Sequence, residues 1–138
     1  MVKDFNFFLK KGDVKKQISD LNLAKSTFNS SLERFELAKT LSHKIKPKYI
    51  LENAYDSMRE AADSILYLDG YKSYSHEASI VYLIKKEFNE RDIIEFDRFR
   101  KIRNGIKYYG KDCDEKDAEE SVILAEKIIN KINKILKF

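Results

Sequence analysis

Leu21, Ala24, Phe28, Leu32, Phe35, Ala38 and Leu41 recur at steps of three and four residues. That is the repeat of one face of an α-helix, and it predicts a long helix over 16–45. Lys46-Pro47-Lys48 interrupts it. Proline suits the first turn of a following helix, where its missing N–H costs nothing. From there Leu51, Ala54, Tyr55, Met58, Ala61, Ala62, Ile65 and Leu68 keep the same spacing as far as Gly70. Two long helices joined by so short a connection predict an antiparallel hairpin.

After Gly70 the polar, tyrosine-rich stretch GYKSYSHEA offers Ser75 as a helix cap and Glu77 in the first turn, and predicts a further helix to about Phe88. Ile93, Phe96, Phe99, Ile102 and Ile106 mark another over 91–109, which Gly110 is placed to stop. Ala118, Val122, Ala125, Ile129, Ile132 and Leu136 then follow an alternating four-three spacing, a helical seam. Ile128 and Ile135 widen that seam, as core or as a dimer face. A short helix at 4–10 completes the pattern. No stretch alternates with period two, so no sheet is expected. The fold class is all-α: an antiparallel helical bundle of about five substantial helices in one domain spanning 1–138, with 1–15 a peripheral arm or a short helix.

Composition agrees with a folded chain. Of 138 residues, 43% are hydrophobic and 36% charged, with 4 Gly and 1 Pro, enough to bury a core without disulfide or metal. The single cysteine, Cys113, cannot form an internal disulfide, and no cysteine cluster suits zinc. A reducing, cytoplasmic setting is expected. The apolar run Phe5 to Leu9 is broken by Asn6 and too short for a signal peptide. Ala78 to Ile84 falls well short of the roughly 20 residues that span a bilayer, so no membrane is involved.

The net charge of +4 permits nucleic-acid binding without requiring it. Its distribution is more informative. Arg98, Arg100, Lys101, Arg103, Lys107 and Lys111 follow one another with no acid between them, and 112–120 is then rich in acids. Cations at one helix end and anions at the next helix start complement helix dipoles, and produce this pattern with no ligand at all.

No Gly-rich phosphate loop, HExxH or CxxC is present, so no cofactor and no metal is expected. His43 and His76 lie at a helix end and a helix start, where exposed or capping roles are more usual than catalysis. The candidate chemistry lies in RFRKIRNGIKYYG, Arg98 to Gly110. On a helical wheel Arg103 falls between Phe96, Phe99 and Ile106, which sets a permanent charge against the apolar face. Such a guanidinium needs an anion: a carboxylate of another helix, a facing subunit, or a ligand phosphate. Arg100, Arg103, Asn104 and Lys107 share one side of the helix as donors suited to a phosphodiester backbone, and Tyr108 and Tyr109 follow, where rings can stack on bases. The competing reading is an internal salt bridge from Arg103 to an acid such as Asp56, Glu60 or Asp63, with the tyrosines as amphipathic core edges. Physics alone leaves the two about even.

The helix order, the connection GYKSYSHEA and above all FRKIRNGIKYYG resemble the HEPN family, the higher-eukaryote and prokaryote nucleotide-binding domains, from about Leu21 to the last helix. The resemblance implies a helical bundle that forms a homodimer, RNA or nucleotide as ligand, and a nucleotidyltransferase partner in a toxin-antitoxin pair. Many members are metal-independent ribonucleases whose motif is an arginine, a polar residue and a histidine a turn or two further along. Arg103 and Asn104 match the first two. The histidine is missing, and Tyr108 stands at the earliest place it would occupy. An imidazole titrates near neutrality, whereas an unperturbed tyrosine does so at about 10; losing a positioned acid-base group forfeits about 10² to 10⁴ in rate. The leading expectation is therefore a dimeric binding module in which Arg100, Arg103 and Lys107 contact phosphate, Asn104 fixes a base or sugar, and Tyr108 and Tyr109 stack. The alternatives are a surviving ribonuclease with Arg103, Asn104 and Tyr108 as catalytic residues, in which electrostatic stabilisation by Arg103 dominates, and a purely structural interaction scaffold.

Overall fold

Capping side chains decide where the helices begin. The computed structural model describes residues 3–137, and its elements are α1 (Phe5–Lys11), β1 (Val14–Lys16), α2 (Leu21–Leu41), α3 (Pro47–Asp69), β2 (Tyr71–Ser73), α4 (His76–Tyr82), a 3-10 turn at Leu83–Lys86, α5 (Glu90–Tyr109) and α6 (Glu115–Leu136). Asp4, Asp20, Ser75, Asn89 and Asp114 each accept from a backbone N–H two or three residues onward, satisfying donors that the first turn leaves free. α3 opens on Pro47 instead. The described residues are 77% helical, an all-α bundle, and the only strands among them are β1 and β2.

The small sheet departs from expectation and has a local cause. Val14, Lys15 and Lys16 pair antiparallel with Ser73, Lys72 and Tyr71, a ladder too short to show period-two alternation in the sequence. The pairing continues as Gln17 donates to the Gly70 carbonyl at 2.9 Å and Asp20 to that of Tyr67 at 3.0 Å. Residues 14–20 are thereby tied to the end of α3, and α2 starts at Leu21 rather than near 16. Gly70 is required there twice over: its φ is +88°, and a Cβ would stand 2.8 Å from the Gln17 carbonyl oxygen. At the other end α2 stops at Leu41, short of 45, and His43 turns the chain with a φ of 66°. α4 also ends early, at Tyr82, before the 3-10 turn and a left-handed Glu87.

α3 is the axis of the bundle. It buries residues on several faces, from Ile50 and Leu51 to Ile65 and Leu66, against α2, α6, α4 and α5. The buried seam of α2 is Ala24, Phe28, Ser31, Phe35 and Ala38; Leu32, expected within it, is 39% exposed. A serine takes that place because its Oγ donates to the Ser57 carbonyl at 2.7 Å, and so small a side chain lets the two helices approach. On α6 Ala118, Ser121, Leu124, Ala125, Ile128, Ile129, Ile132 and Leu136 are buried. The extra width at Ile128 is therefore core, and Ile135 packs partly against the same cluster. That cluster draws on residues from Phe5 to Leu136. Residues 1–15 are thus not a loose arm where they are described, since Phe5, Phe8 and Val14 belong to the core. Residues 1, 2 and 138 lie outside the described part. No helix among the described residues is long and apolar enough to cross a membrane.

Candidate anion-binding site

α5 places its apolar residues Ile93, Phe96, Phe99 and Ile106 inward, and Arg103 goes with them. The Arg103 side chain is 8% exposed, as its position on the helical wheel predicts. Its guanidinium lies beside the buried Tyr55 ring, 5.8 Å from the centroid, and Nη2 is 3.4 Å from Asp56 Oδ1. Asp56 is thus the acid, of the three considered in the sequence, that meets Arg103. The match is incomplete. The contact is too long for a good charge-assisted hydrogen bond, and Arg103 Nε and Nη1 are buried with no hydrogen-bond partner.

Asp56 is itself a poorly held anion. Burial pushes its pKa up, against the attraction of Arg103, Arg34 and Lys107. Glu60, the second acid considered, is engaged by Arg34. Asp63, the third, pairs with Arg59 at 3.2 Å and accepts from the Ser79 hydroxyl at 2.7 Å; burial raises its pKa despite both.

Tyr55 joins this cluster to α4. Its hydroxyl lies 3.0 Å from His76 Nδ1, and the two rings are parallel within 1°. Burial raises the phenol pKa, so the phenol keeps its proton. The His76 imidazole is pushed down to about 4, first by burial and then by the field of Arg59, Arg103, Arg100 and Lys107. Which of the two groups donates is set by the tautomer of the imidazole. His76 is not the cap, which is Ser75, and is only half-buried, with its ring against the buried Tyr55. Sequence reasoning missed both residues of this pair.

The remaining candidates divide. Arg100 is turned to carboxylates of its own chain, with Nε 2.6 Å from Asp97 Oδ1 and Nη2 3.6 Å from Glu77 Oε1. Burial opposes its charge, and these acids more than restore it. It is thus an organised neighbour of the site rather than the free phosphate donor expected. Asn104 is half-buried and Lys107 exposed. Tyr108 and Tyr109 are 63% and 76% exposed. They are not core edges, and among the described residues no hydrogen bond or ring contact joins them to Arg103. The Lys107 ammonium lies 5.9 Å from the Tyr108 ring centroid.

Two other features lie apart from this cluster. A cavity lined by Glu90, Arg91, Ile94, Glu95 and Glu120 sits at the opposite end of α5. Exposed His43, Glu115 and Glu119 bring donor atoms within 4.8 Å of one another. The His43 ring spans two carboxylates, Nδ1 2.8 Å from Glu115 and Nε2 3.4 Å from Glu119. Each ring nitrogen thus faces its own carboxylate, whereas an imidazole that ligates a metal points one nitrogen at the ion. Compared with known proteins, the chain matches no family model and no curated protein, so the reading of the Arg103 site stands on its own geometry.

Proposed function

We propose that the chain is a HEPN-like, homodimeric binding module for RNA or nucleotides, and that Arg103 receives a phosphate. The observation that carries this is the buried Arg103 guanidinium with two nitrogens unpartnered. Each unmet buried donor costs about 1 to 3 kcal/mol, a cost that folding alone gives no reason to keep. A phosphate supplies the several acceptor oxygens that Asp56 does not, and guanidinium and phosphate match in a paired geometry. Asp56 is the group that gives way: its side chain is 28% exposed, and its charge is already disfavoured. Lys107 extends the cationic face, and exposed Tyr108 and Tyr109 are free to stack on bases.

Fluorescence anisotropy with a labelled single-stranded RNA tests this. The expected result is binding that falls steeply as salt rises, weakens about tenfold or more in Arg103→Met, and tightens in Asp56→Asn, which removes the competing carboxylate. RNA affinity that is absent, or untouched by Arg103→Met, overturns it.

The scaffold reading has one observation of its own, the Asp56 contact. It predicts that Asp56→Asn weakens the fold and changes no affinity. The ribonuclease reading requires RNA cleavage in EDTA that is lost in Arg103→Met and in Tyr108→Phe.

A further inference from the structure

We propose that His76, the first residue of α4, is the second ligand-contacting group of the Arg103 site, a neutral hydrogen-bond donor to phosphate through Nε2, held in that tautomer by Tyr55. This rests on the reading of Arg103 as a phosphate group receptor.

Three placements bring His76 to the site. Tyr55 is shared, because its hydroxyl meets His76 Nδ1 and its ring lies beside the Arg103 guanidinium. Arg100, one turn before Arg103 on α5, reaches across to Glu77, the neighbour of His76. The fields of Arg59, Arg100, Arg103 and Lys107 all fall on the imidazole.

The tautomer follows from the inventory of donors. The Tyr55 side chain is fully buried, and among the described residues its hydroxyl has no hydrogen-bond partner other than His76. Its hydrogen therefore goes to Nδ1, and a neutral imidazole that accepts at Nδ1 carries its own proton at Nε2. Nε2 lies on the opposite edge of the ring and has no partner among the described residues, while His76 as a whole is half-buried. An N–H there is a ready donor to an oxyanion and cannot act as a base. The site is thus built of donors: the Arg103 guanidinium beside the Tyr55 ring, and the imidazole Nε2–H of the histidine that the Tyr55 hydroxyl holds. A neutral donor has a physical advantage here, for a fourth fixed cation beside Arg59, Arg100 and Arg103 would repel them when the ligand is absent.

Two substitutions separate the two edges of the ring. In His76→Asn the amide oxygen replaces Nδ1 as acceptor for Tyr55, and the outer donor is gone. In His76→Gln the longer amide restores an N–H near the place of Nε2. With the same labelled single-stranded RNA, His76→Asn is expected to bind about tenfold more weakly and His76→Gln to recover most of the loss. A wild-type measurement independent of any variant accompanies them: ring ¹⁵N spectra at pH 7, assigned with the help of His43→Asn. They should show His76 with the proton on Nε2, and a shift of that nitrogen when RNA is added. A proton on Nδ1, or an Nε2 signal unmoved by saturating RNA, overturns the proposal, as does unchanged affinity in His76→Asn while Arg103→Met abolishes binding. If Arg103→Met leaves binding intact, the reading of Arg103 fails first, and the tautomer stands as a fact about the fold alone.

Discussion

Arg98 and Arg103 stand five positions apart on one helix, and their surroundings treat them in opposite ways. Arg98 is 38% exposed in its side chain, and every guanidinium nitrogen faces an acid: Nε to Glu95 at 3.1 Å, Nη1 to Asp117 at 3.3 Å, Nη2 to Glu120 at 2.9 Å. It also covers the Phe99 ring at 4.5 Å. Arg103 is buried and has one distant carboxylate. A charge in water needs few partners and a charge in hydrocarbon needs many, so the supply of acids runs opposite to the need. The α5–α6 junction is finished as it stands. The junction of α3, α4 and α5 is short of acceptors, and the proposed phosphate site rests on that shortage.

Exchanging Arg103 for methionine gives the sharpest version of this contrast. The apolar chain keeps most of the volume, removes the two orphaned donors and leaves Asp56 partly in water. Urea unfolding should show Arg103→Met to be more stable than the native chain by about 1 to 2 kcal/mol, while RNA affinity is lost. Stability given up for a ligand group is the usual pattern at functional sites. A clear loss of stability without any effect on binding would make Arg103 as structural as Arg98 and erase the contrast.

Acidity acts on the same junction with a smaller effect. His76 has a folded pKa of about 4 against an ordinary 6.5. Between those values the unfolded chain binds more protons, so stability rises with pH through that window and is lost as pH falls from 6.5 toward 4. With the ring half-exposed, the contribution is discounted to about 1 to 2 kcal/mol. Asp56 and Asp63 work the other way, because their raised pKa values favour the folded state as they take up protons. They remain in His76→Asn, so the comparison of the two proteins between pH 4.5 and 7 isolates the imidazole. The native chain should lose more stability than the variant on acidification; equal losses would remove His76 from the buried cationic field.

Much of this architecture can be read along the chain. The α3 and α6 stripes announce themselves because one neighbour dominates each face, and Arg103 betrays its burial by falling between Phe96, Phe99 and Ile106. Asp56 was visible as one of three acids in reach. The Tyr55–His76 pair was not, although Tyr55 sat in an apolar stripe as a side chain whose hydroxyl needs a partner when buried. Nothing local says that the first turn of α4 faces Tyr55, 21 residues earlier, because that depends on how the clasp of β1 and β2 sets the end of α3. The same clasp hid the true start of α2. The serine in the α2 seam was illegible for a related reason, since Ser31 is placed by the Ser57 carbonyl across the hairpin rather than by its own hydropathy.

Arg98→Met gives the smallest effect and the strictest control. Removing this guanidinium frees Glu95, Asp117 and Glu120, but all three side chains are 27% to 40% exposed and water replaces the lost contacts. Exposed pairs contribute about 0.2 to 1 kcal/mol each, and a network sharing one cation does not add them in full. Methionine keeps the apolar cover over Phe99. The loss in urea unfolding should therefore stay near or below about 1 kcal/mol and shrink further in high salt. RNA affinity should be unchanged within about twofold, because no nitrogen of Arg98 is left without an acid to contact a phosphate. If Arg98→Met weakens RNA binding as strongly as Arg103→Met does, the whole cationic run of α5 acts as a diffuse basic surface, and the difference in burial between its two arginines has no bearing on the ligand.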